Sequence, residues 1–263
     1  MKKFLSISLV AVAMMAAGMS LSSCSNSDDG DDGTSSSEKR VESYLVGYKW
    51  YLDHQDKTEY RFYRNHLVTS VGQGRVTAGM LTYPDSRFFG TWHVVQGGIL
   101  YTTFTSGPYG SHGLEDFFYP SLVIVSMKSN FQEVEFAAPD GSLHHLGSYM
   151  VGDNFVSNKF TDYTDASSHD GALVGTWRTN AKRTDGQTTE FTMKIDKKGN
   201  VHFSAPSDNI DFTTTCTTKN GHVTFDHYLT PKTNAISYIY IRENDRITLY
   251  SEKNAQANWA WEK

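Results

Sequence analysis

The sequence LVGTWR, at residues 173–178, opens a series of short alternating segments that decides the fold of the C-terminal part of this chain. A related phrase, LVGYKW, stands 128 residues earlier, at 45–50. A repeated phrase indicates that one structural unit occurs twice in the chain. The two segments that follow these phrases are therefore expected to contain the same succession of strands.

The segment after LVGTWR has the period of β-strands. In TTEFTMKID, Phe191, Met193 and Ile195 share one face, and polar residues occupy the other. Asn220-Gly221 is a strong signal for a two-residue hairpin turn. The pattern predicts eight strands: VGTWRT, TTEFTMKID, VHFSA, IDFTTTCTT, HVTFDHY, ISYIYIR, ITLYS and NWAWE. Short strands joined by tight turns are typical of an antiparallel sandwich or barrel.

The segment after LVGYKW repeats this order of strands with longer connections, and about eight strands are again expected. A short helix is predicted before each segment. Ser35-x-x-Glu38 fits a capping box, and Val41, Tyr44 and Leu45 lie on one helical face. The sequence DASSHDGALVG predicts a second helix before the C-terminal segment.

LVGTWR, EFTMKIDKKGNV and YIYIRENDRITLY resemble the lipocalin-like (calycin-like) domains that are common in Bacteroidetes lipoproteins. The resemblance is good over Leu173–Lys263. From Leu45 to about Met150 it depends on the opening phrase, on FFGTWHVVQGGILY and on the number of strands. It implies an all-β fold of two consecutive small antiparallel eight-stranded lipocalin-like barrels, with a first domain at 38–155, a linker at 156–171 and a second domain at 172–263.

The two phrases differ by one residue before the tryptophan. Gly175-x-Trp177 matches the family's G-x-W motif, whereas Gly47 is separated from Trp50 by two residues. A shift of one residue turns a strand side chain to the opposite face of the sheet. Either a bulge restores the register of Trp50, or Trp50 has a different role.

The N-terminus has the features of a lipoprotein signal peptide. The chain begins MKK, continues with an uncharged apolar run over Phe4–Met19, and reaches LSSC at 21–24, which resembles the lipobox of bacterial lipoproteins. The resemblance implies a signal peptide at 1–23, cleavage before Cys24 and lipid attachment to Cys24. Acylation at more than one position is what stable membrane anchoring needs.

The segment 24–37 is acidic and contains no large apolar side chain, so it is predicted to be a flexible tether. Its serines and clustered aspartates resemble the export signal of Bacteroidetes lipoproteins displayed on the outer face of the outer membrane. We therefore expect an outer-membrane protein, anchored by lipid and exposed at the cell surface. The alternative is an anchor that faces the periplasm.

Charge and cysteine content narrow the class of protein further. Without residues 1–23, which include Lys2 and Lys3, 22 of the 24 basic residues remain against 29 acidic ones, a net charge of −7. A nucleic-acid partner is therefore not expected, since it requires a basic surface. With Cys24 lipidated, Cys216 is the single thiol, and its position in an alternating strand predicts a buried, inert side chain.

No catalytic or metal-binding constellation is apparent, and neither a cofactor nor an enzymatic activity is expected. The sequence has no G-x-S-x-G, no P-loop and no spaced cysteine cluster. In HVTFDH, the strand period places His222 and Asp226 on one face and His227 on the other. His144 and His145 are adjacent and point to opposite faces for the same reason.

The long glycine-containing segment SGPYGSHGLEDFFYP carries the candidate ligand or partner residues, which are Tyr109, Phe117, Phe118 and Tyr119. Long loops in compact domains are often functional, and aromatic faces bind sugars and proteins. The alternative is that Phe117 and Phe118 anchor the loop to the barrel.

The expected function is non-catalytic binding of a small molecule, a glycan or a protein. The large apolar residues at inward positions of the second segment favour a packed barrel interior over a ligand cavity, since an eight-stranded barrel is only just wide enough for its own side chains. A structural role, as an accessory subunit of an envelope complex, is the alternative.

Overall fold

The computed structural model describes residues 36–52, 58–72, 76–78, 81–83, 87–95, 99–107, 121–128, 133–137, 141–147, 150–151, 154–155, 159–182 and 185–263. Ser35–Lys263 form one compact unit.

Within the described residues, the N-terminal part of this unit contains one helix and twelve strands. Helix α1 spans Ser36–Leu45, so it includes the last two residues of the predicted tether, and it buries Val41 and Leu45 as its apolar spacing predicts. The strands are β1 (Lys49–Leu52), β2 (Thr58–Phe62), β3 (Leu67–Gly72), β4 (Val76–Ala78), β5 (Leu81–Tyr83), β6 (Arg87–Val95), β7 (Ile99–Ser106), β8 (Ser121–Lys128), β9 (Glu133–Ala137), β10 (Leu143–Gly147), β11 (Met150–Val151) and β12 (Asn154–Phe155).

Eight of these strands form one antiparallel sheet in the order β1-β10-β9-β8-β7-β6-β3-β2, and β1 hydrogen-bonds to both β2 and β10. The remaining strands form two separate ribbons, β4 with β5 and β11 with β12. The β4–β5 ribbon lies in the chain between β3 and β6, which pair directly with each other. The insertion therefore leaves the order of the larger sheet unbroken.

The C-terminal part is a closed antiparallel barrel of eight strands that pair in chain order. They are β13 (Gly175–Lys182), β14 (Thr188–Ile195), β15 (Asn200–Ala205), β16 (Ile210–Lys219), β17 (His222–Phe225), β18 (Ile236–Glu243), β19 (Arg246–Tyr250) and β20 (Ala257–Glu262). Pairing of Arg178 in β13 with Glu262 in β20 closes the ring. The predictions of an all-β fold and of an eight-stranded antiparallel barrel are confirmed here.

The prediction of a short helix before each segment is wrong for the C-terminal barrel, which is preceded only by a three-residue 3-10 turn, Gly171–Leu173. The acidic side chains of this segment bind its own backbone instead. Asp165 accepts hydrogen bonds from the N–H groups of Ser167 and Gly171, at 2.9 Å each. Such local bonds from aspartate compete with the hydrogen bonds of an α-helix.

The N-terminal helix and sheet form one half of this unit, and the C-terminal barrel forms the other. One buried cluster lies within each half, and a third lies between them. In the C-terminal barrel, Trp177, Phe203, Phe225 and Trp261 belong to one interior cluster. In the third cluster, Leu67 and Phe89 of the N-terminal sheet pack against Ile239 of β18. Residues 238–241 of β18 are therefore buried on both faces of the strand, because the N-terminal sheet covers the outer face.

Candidate functional site

The site residues predicted from the sequence lie outside the described residues. This applies to the lipid-attachment residue Cys24 and to the aromatic loop residues Tyr109, Phe117, Phe118 and Tyr119. The candidate site described below consists of other residues, which belong to both halves.

The interior of the C-terminal barrel is filled by aromatic rings. The ring of Phe203 lies 5.4 Å from that of Tyr228, 5.5 Å from that of Phe212 and 6.1 Å from that of Phe225, measured between centroids. The indole nitrogen of Trp261 donates to the Tyr228 hydroxyl at 3.1 Å, so this polar group is satisfied inside the core. These contacts occupy the space that a ligand would need within the barrel.

In each half, a tryptophan of the first strand hydrogen-bonds to the chain that precedes that strand. The indole N–H of Trp177 donates to the Leu173 carbonyl at 2.8 Å, and that of Trp50 donates to the Leu45 carbonyl, also at 2.8 Å. Both tryptophans are buried. The extra residue of the first phrase thus leaves Trp50 on the inner face.

The histidines of HVTFDH have separate partners. His222 Nδ1 lies 2.6 Å from a carboxylate oxygen of Glu252, and His227 Nδ1 lies 2.6 Å from the carbonyl oxygen of Thr233. Asp226 accepts a hydrogen bond from the Thr215 hydroxyl. No group of three or more His, Cys, Asp or Glu side chains that could hold a metal ion occurs within the described ranges.

Cys216 is buried in β16, as its strand position predicts. Burial, with smaller contributions from the charges of Asp196 and Asp226, raises the pKa of its thiol to about 12. The thiolate, which is the nucleophilic form, is therefore disfavoured at neutral pH.

A buried hydrogen-bond network, centred on Asp170, joins the two halves. One oxygen of its carboxylate accepts from the Tyr240 hydroxyl at 2.5 Å, and the other accepts from the Ala172 N–H at 2.7 Å. Asn65, in the turn between β2 and β3, donates from Nδ2 to the Tyr240 hydroxyl at 3.1 Å and to Asp170 at 3.4 Å. A residue of the N-terminal sheet therefore completes a network on the C-terminal barrel.

The environment of this network favours the protonated form of its acid. Burial raises the pKa of Asp170 to about 6, and the hydrogen bond from Tyr240 offsets part of this shift. Burial and the nearby charge of Asp170 raise the pKa of Tyr240. Both side chains are almost completely inaccessible to solvent, so the network stabilises the contact between the halves rather than presenting reactive groups.

Beside this network lies the junction cleft, which we define as two adjoining depressions that share His66 and Ala166. The smaller, of about 250 Å³, is lined by residues of both halves, including Asn65, Ser167, Ser168, Lys219 and Asn220. The larger, of about 410 Å³, is lined by α1 and the β2–β3 turn, including Lys39, Glu42, Ser43 and Arg64. Together they form the candidate binding site.

His66, in the shared wall of the junction cleft, has an uncommon backbone conformation. Its φ of +64° lies in the left-handed region, which residues other than glycine rarely adopt. The main chain holds it there, because His66 N–H donates to the Tyr63 carbonyl and His66 carbonyl accepts from Trp92 N–H, each at 3.0 Å. Its Nδ1 is buried and has no hydrogen-bond partner among the residues described.

Sequence reasoning missed the junction cleft and its network. Asn65, Asp170 and Tyr240 are single polar residues in three separate elements, and no local pattern connects them. One available signal was the run YIYI at 238–241, which is apolar on both strand faces and so indicates a strand that is covered on both sides.

No known protein family, curated protein or solved structure matches this chain. Within the described residues, no helix is both long enough and apolar enough to span a membrane.

Proposed function

We propose that this chain is a lipid-anchored outer-membrane lipoprotein, exposed at the cell surface, that binds a small molecule, a glycan or a protein without catalysis. The observation that carries the binding function is the junction cleft, which is open and lined by polar side chains from both halves. Asp170 and Tyr240, which adjoin the cleft, are buried and hydrogen-bonded to each other, so they do not offer an exposed acid–base pair.

We also propose that the N-terminal sheet is a second lipocalin-like barrel. The pairing of β1 with both β2 and β10 supports this, as does the hydrogen bond from Trp50 to the Leu45 carbonyl, which parallels that of Trp177. The two halves then place their packed interiors side by side, and ligand binding falls to the surface between them.

The binding function is tested with the full chain, purified in a detergent without a sugar headgroup and screened against glycans, lipids and envelope proteins. A saturable signal supports the proposal. If none of the three classes gives a signal with folded protein, the binding function is wrong. Folding is checked in the same sample by circular dichroism.

The anchor and its membrane face need a separate experiment in cells. Labelling with a tagged fatty acid is expected for the natural chain and is lost in Cys24→Ser. Protease added to intact cells is expected to digest the natural protein at the surface. Protection until the outer membrane is opened would instead place the protein on the periplasmic side.

The second candidate function is that of a structural, accessory subunit of an envelope complex. The aromatic core of the C-terminal barrel favours it, because a filled barrel is a rigid scaffold without an internal ligand cavity. Crosslinking in cells separates the two functions. Stoichiometric recovery of one membrane protein favours the structural subunit, whereas retention of a small ligand without such a partner favours the binding protein.

A further inference from the structure

We propose that the junction cleft binds a small acidic sugar, meaning a hydroxyl-rich ring that carries a carboxylate. This proposal rests on the proposed binding function and assigns it a site and a ligand class. It depends on the charge, the polarity and the shape of the cleft.

Positive charge predominates along the cleft. Lys39, Arg64 and Lys219 line it, against the acidic side chains of Glu42 and Asp165. Asp165 already accepts hydrogen bonds from two backbone N–H groups of its own loop. The chain as a whole has a net charge of −5, so the local charge is opposite to that of the molecule. A carboxylate on the ligand is the natural partner of such a surface.

The remaining lining is suited to hydroxyl groups. Ser167, Ser168 and Asn220 are short polar residues that can both donate and accept hydrogen bonds. The Ser43 hydroxyl donates to the Arg40 carbonyl at 2.9 Å and can still accept a hydrogen bond. Trp92 also borders the larger depression, but only 2% of its surface is exposed, so it offers no open ring face for stacking. Hydrogen bonds, rather than ring stacking, therefore give this cleft its specificity.

His66 lies in the wall that the two depressions share. A left-handed backbone at a residue other than glycine costs free energy, and such conformations concentrate at ligand sites. Because Nδ1 has no partner among the described residues, turning the imidazole toward a ligand breaks no hydrogen bond at this nitrogen. The volume of the larger depression, about 410 Å³, is in the range of small-molecule sites.

The test is titration calorimetry on the full chain in the sugar-free detergent, with three probes. D-glucuronate carries the ring and the carboxylate, D-glucose carries the ring alone, and inorganic phosphate carries charge without the ring. We expect saturable one-to-one binding of glucuronate. Glucose and phosphate are expected to bind at least about tenfold more weakly, because each lacks one of the two recognised features.

Two variants and one control locate the binding. Arg64→Gln is expected to weaken glucuronate binding about tenfold and to reduce its dependence on salt, because a charge-assisted contact is lost. His66→Gly removes the imidazole while relieving the backbone strain, so it is expected to fold and to bind more weakly. Arg178→Gln removes the same charge from an exposed position on β13 and is expected to bind glucuronate as the natural chain does.

A second measurement does not depend on affinity. In protein labelled at histidine, glucuronate is expected to shift the ring resonances of His66 and to leave those of His202, which pairs with Asp211, unchanged.

Three results overturn the inference: no probe binds the folded chain, glucose or phosphate binds as tightly as glucuronate, or Arg178→Gln weakens binding as much as Arg64→Gln. The binding function can hold even if this cleft is not its site. A glycan or protein signal that survives Arg64→Gln and His66→Gly keeps the binding function and excludes this cleft as its site.

Discussion

The two halves of the molecule make the same tryptophan-to-leucine contact with different spacing. Trp50 reaches back five residues to the carbonyl of Leu45, and Trp177 reaches back four residues to that of Leu173. The leucine carbonyls end different elements. Leu45 is the last residue of a ten-residue α-helix, whereas Leu173 is the last of a three-residue 3-10 turn.

The difference shows where a one-residue insertion can be absorbed. In the N-terminal half the extra residue lies before β1, where Gly47 has a φ of +85°. Val46 and Tyr48, on either side of it, form isolated bridges to Phe62 and Lys159. The glycine allows the chain to turn between these bridges, so the strand starts in register. The repeated phrase therefore specifies an indole-to-carbonyl contact rather than a fixed spacing.

The largest expected effect tests whether the two tryptophans are equivalent. Trp50→Ala and Trp177→Ala are each expected to lower the free energy of unfolding by about 3–5 kcal/mol, because each leaves a large cavity and a leucine carbonyl without its donor. Urea unfolding followed by far-ultraviolet circular dichroism measures this.

Trp259→Ala is the matched control for these variants, since Trp259 is only partly buried against the C-terminal core and is expected to cost less. A loss below about 1 kcal/mol for Trp50→Ala, beside a full loss for Trp177→Ala, would show that only the C-terminal tryptophan stabilises its half.

The next effect tests how closely the halves fit. Gly221, with a φ of +77°, faces Leu67 of the N-terminal sheet, and a Cβ added at Gly221 would lie 2.6 Å from that of Leu67. Gly221→Ala is expected to cost roughly 2–4 kcal/mol, from left-handed strain and from overpacking between the halves. The same urea unfolding measurement applies.

Gly186→Ala separates the two causes. Gly186 has a similar φ of +85°, but an added Cβ would meet nothing within 4 Å, so only the strain of roughly 1–2 kcal/mol is expected. Equal losses at Gly186 and Gly221 would mean that the contact with Leu67 is loose enough to yield.

Local alternation was sufficient to predict the C-terminal barrel, because each strand there has an inner face that the barrel itself buries. Phe191, Met193 and Ile195 lie in the core as predicted. The period of the strand does not decide whether Tyr238 or Ile239 points into the barrel. Tyr238 belongs to the interior cluster and Ile239 to the cluster between the halves. Which neighbour covers the outer face of a strand is a tertiary property that strand periodicity does not contain.

The lack of a second helix and the presence of the Asp170 network could not be predicted from local pattern, for a related reason. DASSHDGALVG has helix-compatible spacing, but Asp165 and Asp170 bind backbone N–H groups of the same segment and hold it in turns. Asn65, which completes the network, is 105 residues away from Asp170 in the chain. The candidate site thus depends on long-range contacts between elements that carry no functional motif in their own sequences.

A smaller effect, dependent on pH, tests whether the junction stabilises the fold through Asp170. Its pKa is about 6 in the folded chain, above its ordinary value of 3.8. Between these values the folded state keeps a proton that the unfolded state has lost, so the stabilisation is complete below pH 4 and is lost as pH rises through about 6. The expected loss is about 3 kcal/mol.

Urea unfolding of the natural chain and of Asp170→Asn at several pH values between 4 and 7 measures this loss. The asparagine does not titrate, so the difference in stability between the two proteins is expected to change over this interval and then level off. A difference that stays constant with pH would mean that Asp170 is ionised throughout, in spite of its burial.

The smallest effect concerns the ion pair that crosses the junction. Arg61 of β2 donates to Glu243 of β18 at 2.9 Å, but the Glu243 side chain is 59% exposed, and Arg61 also pairs with the buried Glu59 on its own strand. Solvent screens the exposed partner, so Glu243→Gln is expected to cost less than about 0.5 kcal/mol, with the difference vanishing in high salt. Glu59→Gln is the informative counterpart, because it removes the buried partner and is expected to cost more. If Glu243→Gln proved the more damaging of the two in urea unfolding, the halves would be held together by surface charge rather than by the apolar cluster of Leu67, Phe89 and Ile239.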